Sequence, residues 1–96
     1  MKTREDILSV LAREKAGLQR QYPIHRLALF GSYARGEAQP DSDVDLLVEV
    51  DPSIGLRFVT LAEDLEDLLG LPVDLVSQRA LRPNQMAVLV SELIDV

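Results

Sequence analysis

Ninety-six residues, 47% of them hydrophobic and 27% charged, suffice for one small globular unit and exclude an intrinsically disordered chain. No apolar run approaches the ~20 residues of a bilayer-spanning helix, and there is no cysteine, so membrane spans, disulfides and thiolate metal sites drop out. A net charge of −6 opposes a phosphate backbone: no direct nucleic-acid binding is expected, whereas a protein partner is compatible.

The start, MKTREDILSV, is charged and amphipathic without a signal-peptide core, which points to the cytoplasm. Thr3 and Asp6 form a capping pair for a helix over about residues 3–21. Ile7, Leu8, Leu11 and Leu18 recur on one face, with Arg4, Glu5, Arg13, Glu14 and Lys15 in water. Tyr22-Pro23 ends that helix, and Tyr22 packs at its end. Residues 26–31, RLALFG, read as a strand covered on both faces. A loop with Gly36, Pro40 and Asp41 follows.

Residues 43–50, DVDLLVEV, alternate as a strand. Val44, Leu46, Val48 and Val50 take the core face, while Asp43, Asp45, Leu47 and Glu49 take the other. The turn at Asp51-Pro52-Ser53 and Gly55 leads into a helix over 56–70, with Phe58, Leu61, Leu65, Leu68 and Leu69 buried and Gly70 as its stop. Leu56 and Val59 lie beside that stripe and can widen it into a partner surface. A short strand is expected at 73–77, and a helix at 83–93 with Met86, Leu89, Val90, Leu93 and Ile94 at helical spacing. Residues 94–96 are candidates for a returning sheet edge. The chain 1–96 thus reads as one α/β (α+β) domain, a small mixed sheet of three to four strands flanked by helices.

The chemistry concentrates in 31–45, GSYARGEAQPDSDVD. Gly31 permits a tight turn directly after an apolar strand. Ser32 adds a hydroxyl and an N–H, residues 33–36 can begin a helical turn that attracts anions, and Arg35 supplies a cation for a phosphate tail. Asp43 and Asp45, two apart on a strand and so about 6.5 Å from each other, can converge on one cation or bracket a metal pair ~3.5–4 Å apart. Oxygen ligands without neighbouring His or Cys suit Mg²⁺ or Mn²⁺. Asp74 interrupts the apolar strand VDLV and joins the pair if the two strands are neighbours. Three such carboxylates repel by roughly 2–4 kcal/mol per pair at an effective dielectric near 20, which a divalent ion offsets. Glu49 and Asp51 lie farther along, Tyr33 either packs near the phosphate-bearing ligand or only covers the turn, and the single histidine, His25, is read as a surface residue.

The stretch GSYARGEAQPDSDVDLLVEV, with Gly-Ser, ten intervening residues and Asp-x-Asp, together with VDLV at 73–76 and the short length, resembles the minimal nucleotidyltransferases (MNT domains) of the DNA polymerase beta-like superfamily. The resemblance implies a palm-like nucleotidyltransferase fold, with Gly31 and Ser32 on the phosphates of ATP. It also implies metal ligation by Asp43 and Asp45, and an Asp74 that completes the site and helps activate the attacking hydroxyl. Such domains usually serve as antitoxins to HEPN-domain ribonuclease toxins, and some transfer AMP from ATP to a toxin tyrosine. Two other readings stay open: neutralisation of the toxin by contact alone, and transfer to a small-molecule acceptor. Against the last, the chain has no extra helical domain to hold such an acceptor.

Overall fold

The computed structural model describes residues 2–96 and begins with an 18-residue helix, α1 (Arg4–Gln21). Its start is fixed by a reciprocal cap. The Asp6 N–H donates to the Thr3 hydroxyl at 3.2 Å, and the Thr3 N–H donates to the Asp6 carboxylate at 2.9 Å. Tyr22 turns extended, and its N–H closes the last turn on the Leu18 carbonyl. Strand β1 (Ile24–Phe30) begins two residues earlier than the sequence suggested and stops short of Gly31. That glycine is instead the first residue of a five-residue helix, α2 (Gly31–Arg35), closed by Gly36 in the left-handed region.

Strand β2 (Val44–Val50) leads through a one-turn 3₁₀ helix (Pro52–Ile54) to α3 (Arg57–Leu69). Asp51, read above as a remote acid, caps that turn by accepting the Ser53 N–H. Strand β3 (Val73–Ser77), a second 3₁₀ turn (Gln78–Ala80), helix α4 (Pro83–Val90) and a two-residue strand β4 (Ile94–Asp95) complete the chain.

The sheet is mixed, in the order β3-β2-β1-β4. β1 runs antiparallel to both β2 and β4, and β2 runs parallel to β3, with α3 as the crossover. The alternation read from 43–50 is what the fold uses, since Val44, Leu46 and Val48 are fully buried and Val50 nearly so. Ile7, Leu11 and Leu18 of α1 and Leu61, Leu65 and Leu69 of α3 join the same cluster. Each such side chain contributes about 1.5–3 kcal/mol through burial. Leu47 and Ala28, neighbours in register on the other face, are also fully buried, as expected for a sheet covered on both sides.

Two expectations need correction. Phe58 and Leu68 are only partly buried, because α3 turns the 61-65-69 row to the core. The last helix ends at Val90 rather than 93, and none of its residues is buried; Val88 and Val90 are 73% and 58% exposed. Ile94 pairs with Leu29 and the Val96 N–H reaches the Leu27 carbonyl, so the extended chain needed for that pairing ends the helix early.

Candidate active site

The ends of β1, β2 and β3 bring the acidic and turn residues together. In the parallel pair, Asp45 and Asp74 are register partners, and across the antiparallel pair Asp45 faces Phe30, the residue before the turn. Asp43 lies one residue before β2, exposed, just after a tight loop in which the Ser42 hydroxyl accepts the Gln39 N–H at 2.9 Å. The Val44 N–H donates to the Pro72 carbonyl, which ties the entry of β2 to that of β3.

Gly31 is required here for two reasons. Its φ of +76° lies in the region that L side chains rarely adopt. In addition, a Cβ on Gly31 would sit 2.0 Å from Asp45 Oδ2 and 2.8 Å from its Cγ. The absent side chain is therefore the space the Asp45 carboxylate occupies, and the turn and the acid are one interlocked unit. α2 is anchored from behind by Arg4, whose guanidinium donates to the Ala34 carbonyl at 3.1 Å. Tyr33 is 2% exposed and belongs to the core cluster, so it covers the turn from within. Ser32 is half-buried on the same turn.

Electrostatics agree with the crowding. Burial first, then the Asp74 carboxylate and then Asp43, push the Asp45 acid above its ordinary range, with Arg35 acting in the opposite sense. Among the described residues, however, no three His, Cys, Asp or Glu side chains converge closely enough to hold an ion. Asp45 and Asp74 are neighbours in strand register all the same. The chemistry of the donors, carboxylate oxygens with no His or Cys among them, suits a hard divalent cation.

Arg35 is engaged rather than free. Its Nε donates to Glu37 Oε1 at 2.8 Å and its Nη1 to Glu92 Oε2 at 3.1 Å, and these bonds hold its guanidinium more firmly protonated than usual. Glu92 also accepts the Gly31 N–H through Oε1 at 3.1 Å. Sequence reasoning passed over Glu92, although it is the sole charge between Arg82 and Asp95, in a stretch otherwise apolar or neutral. His25 is exposed, and Glu49 lies opposite Arg26.

Known proteins similar to this chain in sequence and in fold are nucleotidyltransferases. A family model described as a nucleotidyltransferase domain matches residues 12–96. The chain is 43% identical over 98 residues to the protein adenylyltransferase MntA of Thermococcus cleftensis, covering 100% of this chain and 98% of that protein. A solved structure assigned to a minimal nucleotidyltransferase superposes with a TM-score of 0.69 at 41% identity, over 97% of this chain and 88% of the other. A toxin–antitoxin structure with AMP-PNP matches with a TM-score of 0.68 at 27% identity, over 86% and 69% of the two chains. The chain belongs to the nucleotidyltransferase domain family.

Proposed function

We propose that residues 1–96 form a single minimal nucleotidyltransferase domain that acts in the cytoplasm as an antitoxin. Its reaction is transfer of AMP from ATP to a hydroxyl, a tyrosine in the first instance, of a HEPN ribonuclease toxin. The observation that carries this reading is the register that sets Asp45 beside Asp74 with the Gly31 turn closed over it. The likeness to a protein adenylyltransferase over the full chain supports a protein acceptor, and the likeness to a toxin–antitoxin structure with AMP-PNP supports an adenine nucleotide.

In this mechanism the Gly31 and Ser32 amides, the Ser32 hydroxyl and the Arg35 guanidinium hold the phosphate tail. Asp43, Asp45 and Asp74 are the residues that would hold Mg²⁺ or Mn²⁺. A divalent ion there would offset the repulsion among the acids and the charge developing on the transferred phosphate. Asp74, exposed on β3, would take the proton of the incoming hydroxyl. The acceptor oxygen forms its bond to the α-phosphorus as the bond from that phosphorus to the bridging oxygen breaks, and pyrophosphate leaves.

Co-expression with a HEPN protein, followed by an intact mass of that protein, tests the proposal. A toxin heavier by one or more AMP units, and unmodified with Asp74→Asn, is the expected result. A toxin fully inhibited yet unmodified, equally by wild type and variant, would leave only neutralisation by contact.

A further inference from the structure

Glu92 is attached to the phosphate turn in a way that the transfer reaction does not call for. Its carboxylate is bidentate, with Oε1 on the Gly31 N–H and Oε2 on the Arg35 guanidinium, both at 3.1 Å. It reaches across from the turn between α4 and β4, where its own N–H is held by the Leu89 carbonyl, and its side chain is 24% exposed. An amide and a guanidinium bridged by two oxygens of one anion is the bonding pattern that a phosphate would make at the same two donors.

We propose, resting on the nucleotide site argued above, that Glu92 is a built-in competitor for the phosphate tail of ATP, occupying the Gly31 amide and the Arg35 edge until the nucleotide displaces it. A structural tie alone is a poor account of this residue. It sets a fourth acid on the turn that Asp45 closes against, beside the Asp43 and Asp74 positions. A neutral glutamine would satisfy the same amide without that charge. Arg35 also keeps its bond to Glu37 when Glu92 leaves, so displacement frees one edge of the guanidinium without releasing the side chain. Withdrawal of Glu92 further removes one negative charge just as the tail brings several in. The device holds an empty site closed to weaker anions and makes the α4–β4 segment respond to nucleotide.

The experiment is isothermal titration of Mg-ATP, and separately of inorganic tripolyphosphate, into the full chain and its Glu92→Gln, Glu92→Ala and Glu37→Gln forms. Glu92→Ala is expected to tighten both ligands by roughly five- to tenfold, the worth of one partly exposed ion pair and one hydrogen bond, and Glu92→Gln, which can keep the amide bond but not the ion pair, to tighten them by less. Glu37→Gln, which relieves the same charge without touching the Gly31 amide, should gain less. Equal or weaker binding by both Glu92 variants, beside a wild type that binds, overturns the competitor and leaves the nucleotide site standing. An equal gain from Glu37→Gln reduces the effect to general charge relief and also overturns it. Loss of folded structure in both Glu92 variants, read by circular dichroism, would make the residue a structural tie. Failure of every form to bind either ligand would instead count against the nucleotide site itself.

Discussion

The β1–α2–β2 unit and the α4–β4 unit meet at the Gly31–Glu92 contact, yet different forces hold them in place. In the first, Leu27, Ala28, Leu29, Tyr33, Val44, Leu46, Leu47 and Val48 are all essentially inaccessible to water. In the second, no residue of α4 is buried. Polar ties fasten that segment, Arg26 to Asp95 at 2.8 and 3.2 Å, Lys15 to the Val96 carbonyl at 2.6 Å and Glu92 to the turn, while β4 adds a short pairing with β1 and Ile94 and Val96 pack partly buried against the core. Exposed pairs of this kind contribute about 0–1 kcal/mol each, whereas each buried aliphatic contributes more than that. The Gly31 turn is therefore rigid by packing, and α4, with no buried residue, is the part of the neighbouring segment able to open at low cost.

Substitution should separate the two. The largest loss is expected at Gly31→Ala, where a positive φ costs about 1–2 kcal/mol and the new Cβ must push the Asp45 carboxylate aside. A melting temperature lower by roughly 5–15 °C is predicted, together with loss of transfer, and an unchanged melting temperature would refute the interlock.

An intermediate effect is expected at the edge of the same core. The Tyr22 hydroxyl donates to Asp64 at 2.5 Å; burial first, then that bond and the Asp64 charge, push its pKa up to about 12. The folded value lies above the ordinary one, so the stabilisation is fully present below about pH 10 and is lost as pH rises toward 12. Tyr22→Phe should cost about 0.5–1.5 kcal/mol at neutral pH. The gap between wild type and variant should shrink across that alkaline window, as thermal melts at a series of pH values would show. A gap that widens with pH would contradict the assignment.

The smallest effect belongs to the open segment. Val88→Ser and Val90→Ser, at side chains already in water, should stay within about 0.5 kcal/mol in denaturant melts of the isolated chain. A larger loss would mean that α4 is packed more firmly than its exposure indicates.

The same contrast explains what could be read from the chain. Where local rules and the core agree, the reading was close. The Thr3/Asp6 cap, the even-numbered apolar row of β2 and the Gly70 stop all follow from patterns of a few residues, whereas Asp43, expected inside the strand, lies one residue before it. Where tertiary approach decides, it was not. The helical spacing of Met86, Leu89 and Val90 shows a helix but cannot say whether this chain covers it. The pairing of Ile94 with Leu29, which ends that helix, spans most of the sequence. The need for Gly31 was visible as a turn, but the Asp45 carboxylate filling its missing Cβ was not. Glu92 gave one signal, a lone charge in a neutral stretch, and its partners lie 61 and 57 residues away.

The central claim, that this site transfers a nucleotidyl rather than a phosphoryl group, is tested most directly with ATP labelled at the α-phosphorus and, in parallel, at the γ-phosphorus. The chain is incubated with a purified HEPN toxin and a divalent ion, and the toxin is recovered under denaturing conditions. The account predicts label on the toxin from the α position only. It also predicts no label with Asp45→Asn, a variant whose melting temperature should not fall, since it removes an acid that burial and its neighbours disfavour. Label arriving from the γ position, or undiminished α label with Asp45→Asn, would contradict it.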